Sequence, residues 1–98
     1  MVGLRWTAQA ADDLEAITNF IAEDSPHYAS LFAIDVLASV ERIQVFPRSG
    51  RIVPELHTAD IREIMFGNYR IVYRIEEDVV EILTVWHGAR LLDPSRLT

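Results

Sequence analysis

The sequence predicts an α+β fold of order β-α-α-β-β-β, a helical hairpin packed on one face of a small antiparallel sheet. Three observations predict it. From Ala8 to Val45 apolar residues recur at helical spacing, broken once by Ser25-Pro26. From Ile61 to Trp86 the pattern changes to strand alternation, punctuated by Gly67-Asn68 and by Glu76-Glu77-Asp78. The opening residues Val2 to Trp6 alternate too, over too few positions for a helix.

Each element follows from local chemistry. Val2, Leu4 and Trp6 share one side of the first strand. Thr7 is placed to cap a helix over residues 8–23, with Asp12 and Asp13 near its positive end. Its apolar stripe is Ala10, Leu14, Ile17 and Ile21, which leaves Asp12, Glu15, Thr18 and Glu23 outward. Ser25 then caps a second helix over residues 26–45, with Pro26 at the first position, where its missing N–H costs nothing. Phe32, Ala33, Val36, Val40 and Ile43 form its apolar face, Leu37 flanks it, and Pro47 prevents its continuation. A turn this short makes the two helices an antiparallel pair.

Residues 47–60 carry two prolines and a glycine without a clean period, so they read as one long loop; Ile52, Val53 and Leu56 predict that it packs partly on the body. In the strands that follow, Tyr69, Ile71, Tyr73 and Ile75 share one face, and Arg70, Val72 and Arg74 the other. Residues 79–86 are largely apolar on both faces, as in a central strand. The pairing of the first strand is not fixed by its pattern.

Composition narrows the function. Ninety-eight residues predict one domain spanning 1–98. There is no cysteine, hence no disulfide and no thiolate metal site. The N-terminus lacks the charged-then-apolar pattern of a signal peptide, and no apolar run reaches membrane-spanning length, so a soluble cytoplasmic protein without membrane contact is expected. The net charge is −6, and all nine basic residues are arginine. The first 46 residues hold two arginines against seven acids, the remainder seven against eight. Such a balance argues against direct nucleic-acid binding, which needs a basic field.

Motifs exclude more than they assign. His27, His57 and His87 lie far apart, without metal-ligand spacing, and a phosphate loop would need a lysine. No metal, cofactor or catalytic residue is therefore expected. What remains is Arg62, Arg70 and Arg74 on neighbouring strands, with His87 and Arg90 after the last one. Such a set would suit a target-binding surface, or arginines stabilising a phosphorane-like transition state with His87 exchanging protons. The simpler expectation is that arginines alternating with Glu63, Glu76 and Glu81 form solvated cross-strand pairs, and that His87 is a structural hydrogen-bonder.

The order and spacing of several segments carry a resemblance: the strand ending in Trp6-Thr7, the helix AADDLEAI, the helix end at Arg42-Ile43 and Phe46-Pro47, then PRSGRIVPEL (Pro47–Leu56), IREI (Ile61–Ile64), YRIVYR (Tyr69–Arg74) and HGAR (His87–Arg90). Over nearly its whole length the chain resembles toxins of the RelE/ParE superfamily of bacterial type II toxin–antitoxin systems, on the ParE-like branch. The resemblance implies the RelE/ParE-like toxin fold and a growth-inhibiting protein neutralised by a cognate ParD-like antitoxin, which wraps an extended and helical tail around it in a hetero-oligomer. DNA contact is then expected only through the antitoxin.

ParE-like members are associated with poisoning DNA gyrase by binding it. RelE-like members cleave mRNA in the ribosome with a basic, tyrosine-containing sheet surface. This sequence departs from the second pattern: it has no lysine, its net charge is −6, and no tyrosine follows Tyr73. The first expectation is therefore a gyrase-binding toxin rather than a ribonuclease. The alternatives are a ribosome-dependent mRNA endonuclease, which would use Arg62, Arg70, Arg74 and Arg90, and a non-toxic member acting only as an interaction partner.

Overall fold

A computed structural model describes residues 2–88 and 90–97; Ala89, in the His-Gly-Ala-Arg segment, lies outside the described residues. Strand β1 (Gly3–Trp6) leads into helices α1 (Ala8–Asp24) and α2 (Pro26–Val45), followed by a 3-10 turn (Pro47–Ser49) and the two-residue strand β2 (Arg51–Ile52). Strands β3 (Ile61–Phe66), β4 (Tyr69–Ile75) and β5 (Val79–His87) and a 3-10 turn at Pro94–Leu97 complete the described chain.

The helix ends form where the sequence places them. The Thr7 hydroxyl accepts the Ala10 N–H at 3.0 Å, satisfying a donor that the first turn leaves without a helical partner. Ser25 serves both helices: its N–H donates to Ile21 O at 2.9 Å, and its hydroxyl accepts the Tyr28 N–H at 3.1 Å.

The sheet order is β1-β5-β4-β3-β2. The meander β3-β4-β5 is antiparallel, whereas β1 joins β5 in parallel, with Leu4 opposite Val80. The sheet is therefore mixed: the helices carry the chain from β1 to β2 at the opposite edge, and the meander β3-β4-β5 returns to place β5 beside β1. Part of the predicted loop adds the fifth strand, Arg51 and Ile52 pairing with Glu63 and Arg62.

The α1–α2 pair covers one face of the sheet. Ala10, Val36, Val40 and Ile43 meet Ile71, Tyr73, Val80 and Ile82 there, all 0–1% exposed. A bulge in β5 opposite Val72 and Tyr73 shifts the alternation by one residue. It places Leu83 on the opposite face while Ile82 and Val85 stay opposite the helix-facing Tyr73 and Ile71.

The opposite face is not open. Val53 from the loop and Leu92 and Leu97 from the C-terminal segment bury Val72 and Leu83, with Leu56, Ile61 and Trp86 around them. The sheet is thus a middle layer, with two helices on one side and irregular chain on the other.

Candidate target-binding surface

The register divides the five residues singled out from the sequence. Arg62 lies opposite Tyr73, and His87 opposite Tyr69, so both start on the helix-covered face. Arg70 and Arg74 start on the opposite face with Val72. Arg90 is exposed at the rim of that second face, beside Arg70. Only Arg70 and Arg90 come together.

Arg70 is not a solvated ladder residue. It is 4% exposed; its Nε donates to Glu63 Oε1 at 2.6 Å, and its two terminal nitrogens reach the two Glu55 carboxylate oxygens at 2.7 and 2.8 Å. Glu63 is itself 1% exposed and accepts a second cation, Arg51 Nε, at 2.6 Å. The expected solvated pairing of Glu63 is thus corrected: taking these charges out of water is tolerable only because each faces an opposite charge in good geometry. The Arg70 hydrogen bonds hold the Glu55 carboxyl down from 4.5 to about 2, and the same bonds raise the Arg70 guanidinium.

Arg62 and Arg74 are also engaged. Arg62 donates to the carbonyls of Ala59 and Gly50, both at 3.0 Å, fixing the loop before β3. Arg74 pairs with Glu81 at 3.4 Å and donates to Leu97 O at 3.4 Å. Arg5 reaches Glu76 and Glu81 from β1; with Arg74–Glu81 these are cross-strand pairs of the kind expected, solvated at Glu76 but with Glu81 only 15% exposed. His87 stands edge-on to Tyr69 at 5.6 Å, Tyr69 to Phe32 at 5.5 Å, and Phe32 to Phe66 at 5.5 Å, so His87 closes a row of aromatic rings.

Sequence reasoning missed the residues that tie the second face together. Glu55 accepts the Leu92 N–H at 2.8 Å, and Arg70 donates to Arg90 O at 3.4 Å. Asp13 sits on a helix next to two outward acids, yet it is 7% exposed. It accepts the Thr84 hydroxyl, the Val85 N–H and the Arg96 guanidinium. These contacts cover the β5 edge beyond the end of β1 and anchor the C-terminal segment, where Arg96 also lies 4.6 Å above the Trp86 ring. The one sequence signal was the position of Asp13, three residues after Ala10 on the buried side of α1.

A further tie joins loop to core. The Tyr73 hydroxyl donates to Pro47 O at 2.7 Å and accepts the Gly50 N–H at 3.0 Å, and burial raises its pKa. Gly50 is dictated by this approach, because a Cβ there would stand 2.5 Å from the Tyr73 hydroxyl and 2.6 Å from Glu63 O. Among the described residues no group of three His, Cys, Asp or Glu is placed to hold a metal ion.

A two-helix hairpin on a mixed five-stranded sheet is also the fold of solved toxin–antitoxin proteins. One chain of the chromosomal ParDE toxin–antitoxin system from P. aeruginosa matches with a TM-score of 0.73 at 23% identity, over 89% of this chain and 96% of that one. A chain of the RelBE2 toxin–antitoxin complex from Mycobacterium tuberculosis matches at 0.58 and 24% identity, over 88% and 96%. A Caulobacter vibrioides protein named toxin RelE2 is 32% identical over 92 residues, which cover 93% of this chain and 100% of that protein. Residues 4–92 match the family described as ParE toxin of type II toxin–antitoxin system, parDE. The chain belongs to this family and is a type II toxin of the ParE/RelE superfamily.

Proposed function

We propose that this toxin arrests growth by binding DNA gyrase, without cleaving RNA, and that a ParD-like antitoxin neutralises it in a hetero-oligomer. The observation that carries the reading is the engagement of the sheet arginines. Arg70 is buried between Glu55 and Glu63, Arg62 is bound to backbone carbonyls, and Arg74 pairs with Glu81. A ribonuclease surface needs accessible cations to neutralise a phosphate chain, and a chain of net charge −6 without lysine supplies a weak field for it.

The antitoxin part of the reading is supported by the family and by the toxin–antitoxin systems among the structural relatives. DNA is then contacted through the antitoxin alone, and action on gyrase requires a cytoplasmic protein. No helix of the described chain is long and apolar enough to cross a membrane.

Two assays on antitoxin-free protein test the proposal: supercoiling by purified gyrase, and cleavage of mRNA on translating ribosomes. Inhibited supercoiling with intact mRNA is the expected result. Cleaved mRNA with unaffected gyrase supports instead the ribosome-dependent endonuclease reading, which the relative named RelE2 favours. No response in either assay, together with harmless expression, leaves a non-toxic interaction partner.

A further inference from the structure

The two helices differ on their outward sides. On α1 that side is polar, with Asp12, Glu15, Asn19 and Glu23 exposed. On α2 it is largely apolar. The inward residues Val36, Val40 and Ile43 are 0–1% exposed, yet on the opposite side Ile34 is 60%, Val45 49% and Leu31 42% exposed. Leu31, Ala38 and Val45 follow one another at seven-residue intervals with Ile34 between the first two, the spacing of a seam between packed helices. A helix apolar on both sides belongs between two layers, and α2 has the sheet on one side only.

The charges beside this stripe have a two-fold pattern. Asp35 and Arg42 are both exposed, and two turns of helix put them on the same flank of it. Among the described residues Asp35 has no ion-pair partner, and Arg42 donates only to the Ser39 hydroxyl at 3.3 Å. When two copies of one helix pack antiparallel about a two-fold axis, each flank meets the same flank of the other copy. Asp35 of either copy then meets Arg42 of the other, with the axis passing between Ala38 and Ser39. The same register brings Ile34 against Val45 of the second copy, and the small Ala38 lets the helices approach at the axis. Glu41 is the one charge within the stripe, and its burial cost keeps the association reversible.

We propose that the antitoxin-free toxin pairs with a second copy of itself through the outward face of α2, as an antiparallel two-fold helix pair. The occupant is a second copy because the face is complementary to itself: it carries both halves of the charge match, in the one arrangement that symmetry can use. A partner of another sequence would have to supply its own matching charges. The proposal is independent of the cellular target, since it concerns the free protein and not the surface that engages gyrase or the ribosome.

Sedimentation of the antitoxin-free chain tests this. The unaltered protein should be a dimer at about 100 μM, the strength of a transient pair. Asp35→Arg leaves only arginines along the shared flank and Arg42→Asp only aspartates, so each alone should weaken pairing by about tenfold or more. An equimolar mixture of the two variants should pair again, because each supplies the charges the other lacks, and that recovery shows both to be folded. Ile34→Asp should give a monomer with the circular dichroism of the unaltered chain, and Glu41→Leu should tighten the dimer. A monomeric unaltered chain overturns the proposal, as do single charge variants that pair undiminished or a mixture that fails to recover. If the unaltered chain is monomeric and Ile34→Asp instead loses the antitoxin, the face belongs to the antitoxin and the proposal falls.

Discussion

The two faces of the sheet are both covered, but by different means. On the helix side, Val36, Val40 and Ile43 meet Ile71 and Ile82, and cohesion comes from apolar area removed from water. On the other side, a smaller apolar cluster is ringed by Arg70 with Glu55 and Glu63, and by Asp13 with Arg96. The difference follows from what each face must hold. Two amphipathic helices bring a continuous apolar stripe. A loop and a terminal segment bring two or three apolar side chains and many backbone polar groups, which need directed partners once buried. Arginine fits that task because one planar fork reaches a carboxylate and a carbonyl together. The ionic face is therefore specific in geometry, and sensitive to loss of a single partner and to acid.

That contrast is most open to attack at Glu63. Glu63→Ala leaves Arg70 buried with one carboxylate fewer and should destabilise the fold by about 3–5 kcal/mol, the range for breaking one side of a buried pair. Urea unfolding measures it, and a cost below about 1 kcal/mol, typical of an exposed pair, would show the ion network to be solvated in solution.

Acid should separate the two faces at intermediate magnitude. Glu55 has its folded pKa depressed to about 2 from 4.5. A carboxylate with a depressed folded pKa stabilises the fold above its unfolded value, and that contribution is lost as pH falls through the folded one. Between about pH 4.5 and about pH 2, amide exchange should therefore rise in the C-terminal segment before it rises in α2. Glu55→Gln should remove that acid-dependent step. Simultaneous loss of protection in both regions would mean that the two faces open as one unit.

The smallest effect is expected from Arg5→Ala. Its side chain is 51% exposed, with Glu76 (40% exposed) at 3.3 Å and Glu81 (15% exposed) at 2.9 Å, and Arg74 remains on Glu81 when Arg5 is removed, so the loss is screened by water and salt and leaves no carboxylate buried and unpaired. An unchanged melting temperature is the expected result; a marked drop would extend the ionic design to the solvated end of the sheet.

Much of this architecture was legible because it is written in short-range pattern. Thr7, Ser25-Pro26 and Pro47 act within a few residues, and they fixed both helices to within one residue of the observed ends. The alternation of Tyr69 to Ile75 likewise assigned each residue to its observed face. The same logic failed for Arg70, because alternation says which side a residue is on and nothing of what covers that side. Leu92 and Leu97, which cover it, belong to a segment with no period of its own.

The sequence by itself determined the helical hairpin, the meander and membership of a toxin superfamily, since caps, breakers and periodicity are local and segment order is a property of the chain. The tertiary structure decided which charges are buried, how β1 pairs, and that Arg62 and His87 face away from Arg70 and Arg74. It alone separated Leu91 from Leu92, adjacent and identical in type, one exposed and one in the core. The physical reason is that burial and charge pairing depend on residues distant along the chain, such as Asp13 with Arg96 and Glu55 with Leu92. No local pattern encodes those encounters.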